Sequence, residues 1–385
     1  MINIVSNPDF KLGILGGGQL GKMLIQAASS WDIDTFILDP DDTCPASRLA
    51  TKFIKGDFRD FDAVYEFGRE VDLITIEIEH VNTDALHKLK GEGKIICPDP
   101  EILEIIKDKG TQKKFYSENG LPTSGYRLYK DKNPILKDIK NGILKIPFVQ
   151  KTRRFGYDGR GVFVVNTPRD IDNLLEGESL VEELVEIKKE LSVIVARNSK
   201  GEVVAYDPFE MEFNDNANLV EYLISPARIN ADIRKRAIEL SEKTISKLGL
   251  NGILAVEMFL DKDDNLLINE SAPRPHNSGH HTIESCMTSQ YEQHLRAILG
   301  LPLGTTELLI NSVLVNLLGA EGYNGNVRYE GIEQCLEMDG VKVHIYGKQK
   351  TKPYRKMGHV TIIDRDIDSA LDKAGKVKNT LRAVT

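Results

Sequence analysis

Residues 253–277 read ILAVEMFLDKDDNLLINESAPRPHN, and this stretch decides the fold. Two apolar runs flank the polar segment DKDDN, which is typical of two antiparallel strands joined by a turn. If the hairpin is symmetric about Asp263 and Asp264, Glu257 and Glu270 lie directly opposite each other. Their Cβ atoms would be roughly 5 Å apart, and like charges at that spacing are destabilising unless something neutralises them. The pattern therefore predicts a strand pair built around two facing carboxylates.

A divalent cation is the simplest partner for such a pair. Asn269 adds an amide oxygen, and carboxylate and amide oxygens combined with substrate phosphates suit Mg²⁺ better than Zn²⁺. We therefore predict Glu257, Asn269 and Glu270 as metal ligands. The loop that follows adds Arg274 and His276, an anion partner and a proton partner. The alternative is a pair of glutamates at a solvated strand edge.

The bulk properties of the chain narrow its class. It has 385 residues, 41% hydrophobic and 28% charged, which is ordinary globular composition with room for two or three domains. A formal net charge of -8 argues against nonspecific nucleic-acid binding. The four cysteines form no C-x-x-C pair, and no signal peptide or membrane span is evident. We therefore expect a soluble cytoplasmic protein with no nucleic-acid or membrane partner.

The hydrophobic pattern changes along the chain. Up to about residue 100, apolar runs such as LGILGG, TFILDP and LITIEIE alternate with helical patterns, which predicts a parallel sheet covered by helices. After Lys145 the runs are shorter and separated by turns, which favours antiparallel sheet. One helix is predicted over residues 231–248. The fold class is therefore α/β in the first part and α+β in the rest.

The glycine-rich segment Gly16-Gly17-Gly18-Gln19-Leu20-Gly21 fits G-x-G-x-x-G between a strand and a helix, with Asp39 at the end of the next strand. A nicotinamide or flavin site would suggest an oxidoreductase. Glycines at a helix N-terminus also admit other phosphate-bearing ligands, and they form tight turns that bind nothing. We favour another phosphate-bearing ligand and leave all three open.

A second glycine-rich segment follows an apolar strand. Lys151 ends the run IPFVQK, and TRRFGYDGRG at 152–161 combines three glycines with three arginines. Such a segment can fold its amides over phosphates while Arg supplies directed charge, or it can be a basic surface hairpin. Residues 182–185 lead a strand into a loop near Glu190. The backbone groups of this segment could bind an adenine edge, and the Glu190 carboxylate could bind ribose hydroxyls.

Taken in order, DKGTQK, the strand lysine, GYDGRG, VEEL with a later Glu, and INESAPRPHNSG resemble an ATP-grasp ligase. With GILGGGQLGKM, LDP, VHIYGK and RKMGH, the resemblance covers nearly the whole chain and narrows to the N5-carboxyaminoimidazole ribonucleotide synthases of bacterial and fungal purine synthesis. It implies a Rossmann-like domain at 1–107, an ATP-grasp domain at 108–302 with a mobile lid subdomain at about 121–180, and a small β-rich domain at 303–385.

The resemblance also implies site residues. For ATP these are Lys109, Lys151, Gly156, Tyr157, Asp158, Gly159, Arg160, Gly161, Val162, Glu182, Glu183, Leu184, Val185, Glu190, Asn214, Asn269 and Glu270. For 5-aminoimidazole ribonucleotide they are Gln19, Glu79, Tyr157, Asp158 and Arg160, with Lys348 and Arg355 at its phosphate. For catalysis they are Arg274, His276, Tyr157 and Arg160, with Arg274 and His276 facing bicarbonate and the carboxyphosphate intermediate. The metal is Mg²⁺, with Mn²⁺ as an alternative cation.

Two positions depart from the pattern of many relatives. Phe155 stands where a second glycine is common, which would stiffen the lid. Phe213 and Asn214 follow a strand expected at 205–209, where a histidine near ATP is common. The missing histidine removes one expected contact to the nucleotide, and the reaction that the resemblance implies stays the same.

The implied reaction is ATP-dependent carboxylation of the ribonucleotide by bicarbonate, by a cytoplasmic homodimer that acts before a separate mutase. The nearest rival is another ATP-grasp ligase, such as a formate-dependent glycinamide ribonucleotide transformylase. A nicotinamide-dependent oxidoreductase and a non-enzymatic nucleotide sensor are the rivals from other classes.

Overall fold

The computed structural model describes residues 7–154, 156, 161–213 and 220–385. Across residues 7–107, all within the described part, five strands form the expected parallel sheet in the order β3-β2-β1-β4-β5. The elements here, with the helix that follows, are β1 (Lys11–Leu15), α1 (Gln19–Ser29), β2 (Asp34–Asp39), β3 (Lys52–Lys55), α2 (Phe61–Arg69), β4 (Leu73–Ile76), α3 (Thr83–Gly91), β5 (Ile95–Ile96), α4 (Pro100–Lys107) and α5 (Lys109–Glu118).

The parallel sheet is buried on both faces, as continuous apolar strands require. Leu12 and Ile14 pack with α1, whereas Leu15 and Ile76 pack with α2 and α3. The first of these two cores also includes Leu295, which lies far along the chain. The amino-terminal sheet is thus packed directly against the part of the chain that follows the acidic hairpin.

A smaller antiparallel sheet comes next. The described strands pair in the order β6-β9-β7-β8. Its elements are β6 (Tyr126–Tyr129), α6 (Lys132–Lys140), β7 (Phe148–Thr152), β8 (Val162–Val165), a 3-10 helix at Pro168–Asn173 and β9 (Ser179–Glu183). Phe148, Ile135 and Val181 are buried in its own core, so this sheet has the packing of a distinct subdomain.

A large antiparallel sheet fills the centre of the molecule, as expected after Lys145. In the described ranges it runs β15-β14-β10-β12-β13-β16-β21-β19, and β11 also pairs with β10. Its first part contains β10 (Ile187–Arg197), β11 (Val203–Ala205), β12 (Phe209–Phe213), β13 (Val220–Ser225), α7 (Ala231–Leu248), β14 (Gly252–Asp261), β15 (Leu266–Ala272), a 3-10 helix at Asn277–Gly279, α8 (Thr282–Ser285) and α9 (Gln290–Ile298).

The helix predicted at 231–248 is confirmed as α7, whose N-cap Asn230 accepts a hydrogen bond from the Ile233 amide. It ends at Gly249, whose φ of +65° is easily reached only without a side chain. The strand expected at 205–209 is wrong. β11 ends at the first residue of this segment and β12 begins at its last residue. The chain crosses between the two strands at Tyr206, whose hydroxyl donates to the Thr288 carbonyl at 2.9 Å.

In the described part of the chain, three of the remaining strands complete the central sheet, and the other four form two separate two-stranded sheets. They belong to a segment with β16 (Asn311–Leu318), β17 (Gly325–Asn326), β18 (Arg328–Glu330), α10 (Ile332–Leu336), β19 (Val341–Ile345), β20 (Lys350–Thr351), β21 (Lys356–Asp364), α11 (Ile367–Thr380) and β22 (Arg382–Val384). β16 pairs with β13 on one side and β21 on the other. The expected boundary at 302–303 therefore falls between α9 and a strand of the same sheet.

The acidic hairpin has the predicted pairing and the predicted turn, although its strands are not symmetric about the predicted point. Glu257 pairs with Glu270, which is confirmed, but Met258 pairs with Ile268. The turn spans Asp261 to Asn265 and is centred one half-residue earlier than assumed, and a bulge that includes Asn269 restores the facing carboxylates. Bulges re-aim side chains beside functional sites, and this one turns consecutive residues toward one cleft.

No helix in the described ranges is both long enough and apolar enough to cross a bilayer. The four cysteines are buried thiols without disulfide partners in the described part of the chain.

A stack of imidazoles joins the last strands to the segment after the hairpin. The His280 and His359 rings lie 4.4 Å apart at 14°, and His344 stacks on the other side of His359 at 4.4 Å and 10°. Burial lowers the pKa values of His280 and His359 well below 6.5, and the neighbouring imidazoles add to the effect. The two rings are therefore neutral in the folded protein at neutral pH.

This stack predicts a weaker fold in mild acid. Below pH 6.5 the unfolded chain takes up protons that buried His359 does not, so the free energy of unfolding falls as pH drops. His359→Phe keeps a ring in the stack but cannot titrate. Between pH 7 and 5 we expect the wild type to lose about 2 kcal/mol more stability than this variant. Urea unfolding at each pH measures this loss, with half-exposed His87→Phe as the control. Equal losses in the wild type and in His359→Phe would contradict the prediction.

Candidate functional site

A cleft of about 780 Å³ lies where the three sheets meet. Residues from the ends of the parallel strands, from β7 and β8, and from the central sheet line it. The predicted site residues among them are Gln19, Glu79, Lys109, Lys151, Gly156, Val162, Glu182, Glu183, Leu184, Val185, Glu190, Glu257, Asn269, Glu270, Arg274 and His276. Residues as far apart in the chain as Gln19 and His276 therefore share one cavity.

The other predicted residues do not line the cleft or lie outside the described ranges. Gly161, Lys348 and Arg355 are described but are not part of the lining. Phe155, Tyr157, Asp158, Gly159, Arg160 and Asn214 fall outside the described residues. Gly161 has φ +73°, and a Cβ there would lie 2.3 Å from Thr152 Oγ1, so glycine is required where β8 returns along β7.

Three carboxylates converge in the cleft. Burial raises the pKa of Glu257, and the charges of Glu270 and Glu190 raise it further. Burial likewise raises the pKa of Glu190 to about 7. Glu257 is mostly buried, with 19% of its side chain exposed, whereas Glu270 lies on the edge strand β15 with 42% of its side chain exposed. This end of the cleft favours positive charge.

Two lysines contact the residues of the acidic hairpin. Lys109, at the start of α5, forms an ion pair with Glu270, and Lys151 Nζ donates to Asn269 Oδ1 at 2.9 Å. Lys109 holds the pKa of Glu270 well below its usual range against the opposing effect of burial. The bulge at Asn269 makes both contacts available from adjacent residues.

Glu182 is bound to two lysines. Its carboxylate lies 2.5 Å from Lys113 Nζ and 2.5 Å from Lys151 Nζ, and Ser124 Oγ donates to it at 2.8 Å. Burial alone would raise its pKa, but Lys151 and Lys113 outweigh burial and lower it to about 2. The Glu182 side chain is thus occupied by lysines, whereas Leu184 and Val185 leave the end of β9 at the cleft and suit an adenine edge.

The oxygen donors fit a magnesium ion better than a zinc ion. Among the described residues, no three His, Cys, Asp or Glu side chains are grouped for a protein-only metal site. Glu257, Glu270 and the Asn269 amide offer hard oxygens, and Mg²⁺ commonly completes its shell with phosphate oxygens and water. The raised pKa of Glu257, which burial and two neighbouring carboxylates cause, is the structural sign that a cation fits.

The opposite end of the cleft holds the Arg274 loop. Arg274 Nη2 pairs with Glu79 Oε1 at 2.8 Å, and in the described part of the chain its buried Nε has no acceptor. His276 Nδ1 is 2.6 Å from Ser278 Oγ and 3.9 Å from Glu257 Oε1. One loop thus reaches from the acidic pair to Glu79.

Gln290 fixes the position of this loop. Its side chain accepts from the His276 amide at 2.9 Å and donates to the His276 carbonyl at 2.7 Å. Gln290 is fully buried, and a Cβ at Gly279 would lie 2.4 Å from its Oε1. The two hydrogen bonds and the close contact at Gly279 together fix the backbone of the loop at His276.

The amino-terminal glycine loop packs on protein carboxylates. A Cβ at Gly18 would lie 2.2 Å from Glu77 Oε1, and the Gly17 amide donates to Asp39 Oδ2 at 2.7 Å. Asp39, the ribose partner expected for a dinucleotide, is therefore engaged with the loop itself. Gln19, next in the loop, donates to Asn277 at 3.3 Å and belongs to the Arg274 end of the cleft.

Lys348 and Arg355 each donate a hydrogen bond to a backbone carbonyl close to them in sequence. Lys348 Nζ donates to the Lys356 carbonyl at 2.7 Å, and Arg355 Nη1 donates to the Lys350 carbonyl at 2.7 Å. Burial raises the pKa of Glu77, and Lys348 is among the cations that oppose the rise. Lys348 is therefore close to the Arg274 end, and Lys356 lines the cleft directly.

Sequence reasoning missed one buried lysine and one group of residues that line the cleft. Lys113 lies four residues after Lys109 on α5, a spacing that places both on one helix face and could have signalled it. The apolar wall has no such signal, because its members come from separate strands: Met211, Phe213, Leu223, Phe259 and Leu314. Phe213, one of the two residues where a histidine near ATP is common in relatives, contributes to this wall.

Three family models match successive stretches of the chain. They are a ribonucleotide synthetase preATP-grasp domain at residues 10–107, an ATP-grasp domain at 114–291, and a phosphoribosylaminoimidazole carboxylase C-terminal domain at 312–373. The first model covers the parallel sheet, the second covers the small sheet and the first part of the central sheet, and the third covers strands that complete the central sheet.

Similar proteins cover the chain almost completely. The N5-carboxyaminoimidazole ribonucleotide synthase of Bacillus subtilis is 39% identical over 94% of this chain and 93% of its own length. The chloroplastic phosphoribosylaminoimidazole carboxylase of Vigna aconitifolia is 38% identical over 93% of this chain. The chain spans only 65% of that plant protein.

Solved structures agree over the whole length. The N5-carboxyaminoimidazole ribonucleotide synthetase from Thermotoga maritima has a TM-score of 0.89 and 45% identity, covering 98% of this chain and 99% of its own. The N5-carboxyaminoimidazole synthase from Aspergillus clavatus, in complex with ADP and 5-aminoimidazole ribonucleotide, has a TM-score of 0.87 and 32% identity, covering 96% and 98%. The chain belongs to the N5-carboxyaminoimidazole ribonucleotide synthase family of ATP-grasp ligases.

Proposed function

We propose that this chain carboxylates 5-aminoimidazole ribonucleotide with bicarbonate and ATP, giving N5-carboxyaminoimidazole ribonucleotide, ADP and phosphate. The observation that carries the proposal is the continuous segment from Asn269 to His276. One end lies among lysines and carboxylates suited to a nucleotide polyphosphate, and the other end presents Arg274 beside Glu79. Two substrates can therefore meet along one strand end.

At the nucleotide end, Lys109 and Lys151 would bind phosphate oxygens. Glu257, Glu270 and Asn269 would hold Mg²⁺, with Mn²⁺ as an alternative. When bound, the cation neutralises phosphate charge and orients the polyphosphate. Leu184 and Val185 would offer backbone groups to adenine against the apolar wall, and Glu190 would accept from ribose hydroxyls. The described part of the lid, Gly156 with Gly161 and Val162, would cover the phosphates.

The first step activates bicarbonate. A bicarbonate oxygen attacks the terminal phosphorus of ATP, the bond to ADP breaks, and carboxyphosphate forms. Because phosphoryl transfer relies on positioning and charge, Lys151 and the unpartnered Nε of Arg274 would balance the charge that develops on the transferred group. His276, beside Glu257, would orient bicarbonate and accept its proton.

The second step forms the carbon-nitrogen bond. Carboxyphosphate releases phosphate and carbon dioxide, the exocyclic amine of the ribonucleotide attacks that carbon, and the amine loses a proton. Gln19 and Glu79 would bind the ribonucleotide beside Arg274, and Lys348 and Arg355 would bind its phosphate. The segment with Tyr157, Asp158 and Arg160 would complete the enclosure, which must exclude water because carboxyphosphate hydrolyses.

We also propose the wider setting that the family resemblance implies. The chain would divide into units at 1–107, 108–302 and 303–385, with a lid at about 121–180. It would act in the cytoplasm as a homodimer and supply its product to a separate mutase. The packing of β6 to β9 around a core of their own supports the lid unit.

The proposed reaction predicts a specific substrate requirement. With ATP and Mg²⁺ present, phosphate release should need both bicarbonate and 5-aminoimidazole ribonucleotide, because the amine consumes the activated carbon. A coupled phosphate assay with each component omitted in turn measures it. Release that needs formate and glycinamide ribonucleotide would instead support the rival ligase, and the absence of turnover with every mixture would leave only a nucleotide sensor.

The proposed phosphate site predicts a separation of substrate effects. Lys348→Ala and Arg355→Ala should each raise the KM for the ribonucleotide on the order of tenfold, because each removes a charge-assisted phosphate contact. The KM for ATP should be unchanged. Exposed Lys350→Ala, which removes a nearby charge, is the matched control. A raised KM for ATP with an unchanged ribonucleotide KM would move these residues out of the second substrate site.

A further inference from the structure

We propose that Lys113 is a positioning residue that shares Glu182 with Lys151 and thereby leaves Lys151 with net positive charge for the nucleotide phosphates. The inference rests on the proposed nucleotide site and adds a residue that never touches the nucleotide. Together the two lysines and Glu182 would carry one net positive charge at the buried end of the cleft, which one lysine paired with Glu182 could not provide.

Lys113 is enclosed by protein oxygens. It is only 2% exposed, and its Nζ lies 2.5 Å from Glu182 Oε1 and 2.5 Å from Thr123 Oγ1. Ser124 Oγ at 3.1 Å and the Ile268 carbonyl at 3.3 Å complete its surroundings. Lys113 therefore contributes charge and fixed geometry rather than a ligand contact.

Lys151 is the lysine that faces the cleft. Its Nζ lies 2.5 Å from the other carboxylate oxygen of Glu182 and reaches Asn269 at 2.9 Å. Its side chain is 12% exposed, whereas those of its two ionised partners are almost fully buried. The three side chains form a line from the protein interior to the cleft.

Charge accounting explains why two lysines are needed. Glu182 alone would neutralise Lys151, and a neutral pair attracts phosphate weakly. With Lys113 the group carries one net positive charge, and burial limits screening by water and salt. Burial lowers the pKa of Lys113 to about 8 while Glu182 opposes the fall, so the ammonium is charged at pH 7.

The first test neutralises Lys113. Lys113→Met keeps the aliphatic stem and removes the charge, and we expect the Kd for ADP with Mg²⁺ to rise on the order of tenfold in calorimetry. Lys113→Met/Glu182→Gln removes both charges of the inner pair and leaves Lys151 positive. Its Kd should return to within about twofold of the wild-type value, although it lacks the same buried lysine.

Lys114→Met is the matched control. Lys114 is the next residue on α5, is exposed, and pairs only loosely with Glu118 at 3.6 Å. The same change of net charge there should leave the Kd for ADP unchanged. Urea unfolding of all variants separates stability from affinity. Lys113→Met and the double variant both lose the buried contact, but only Lys113→Met should lose ADP affinity.

Three outcomes would overturn the proposal. One is an unchanged Kd in folded Lys113→Met, and another is a double variant that binds as weakly as Lys113→Met. If neither variant folds, Glu182→Gln alone decides, since it should bind ADP at least as tightly as the wild type and weaker binding would refute the charge account. ADP affinity is measured without bicarbonate or ribonucleotide, so a failure of the proposed reaction would be recognised separately.

Discussion

Two carboxylates face each other in one residue pair between β14 and β15 of the central sheet. The cations of the cleft are placed to offset that unfavourable contact. Glu257 and Glu270 are paired in register, and Glu190 adds a third carboxyl group nearby. A sheet that places like charges together without compensation would be destabilised. Lys109 provides the compensation within the chain, and the space that remains suits a divalent cation with its polyphosphate.

The packing follows from bringing cations to this residue pair. Lys109 and Lys113 come from one face of α5, Lys151 from the end of β7, and Arg274 from the loop after β15. Each element is fixed by its own core, and Gln290 holds the loop backbone on both sides of His276. The charges are therefore preorganised, which phosphoryl transfer requires because its catalysis is largely electrostatic.

Much of this could be predicted from the sequence because the signals were local. Alternating strands and helices indicated the parallel sheet, and the helix predicted over residues 231–248 has the bounds of α7. The facing glutamates were predicted correctly from the turn DKDDN, although its centre was assumed half a residue too late and the bulge at Asn269 compensated for that difference. A one-residue bulge depends on packing against Lys109 and Lys151, and no pattern within the hairpin encodes it.

The other differences come from contacts that are distant in sequence. The union of β13 with β16 joins two segments that looked like separate units, because a strand's apolar pattern does not specify its neighbour. Glu182 had the appearance of an ordinary strand residue, and its role depends on lysines from α5 and β7. The glycine loop matched a dinucleotide fingerprint, yet its space is filled by Glu77, a residue sixty positions away.

The most direct test of the central claim is the Mg²⁺ dependence of ADP binding in Glu270→Gln, measured by calorimetry with and without the cation. Our account predicts that Mg²⁺ strengthens binding to the wild type on the order of tenfold or more and has little effect on the variant. Without Mg²⁺ the variant should bind ADP at least as well as the wild type, because Lys109 is released from its carboxylate partner. An undiminished Mg²⁺ effect in Glu270→Gln would contradict the claim that the facing carboxylates hold the cation.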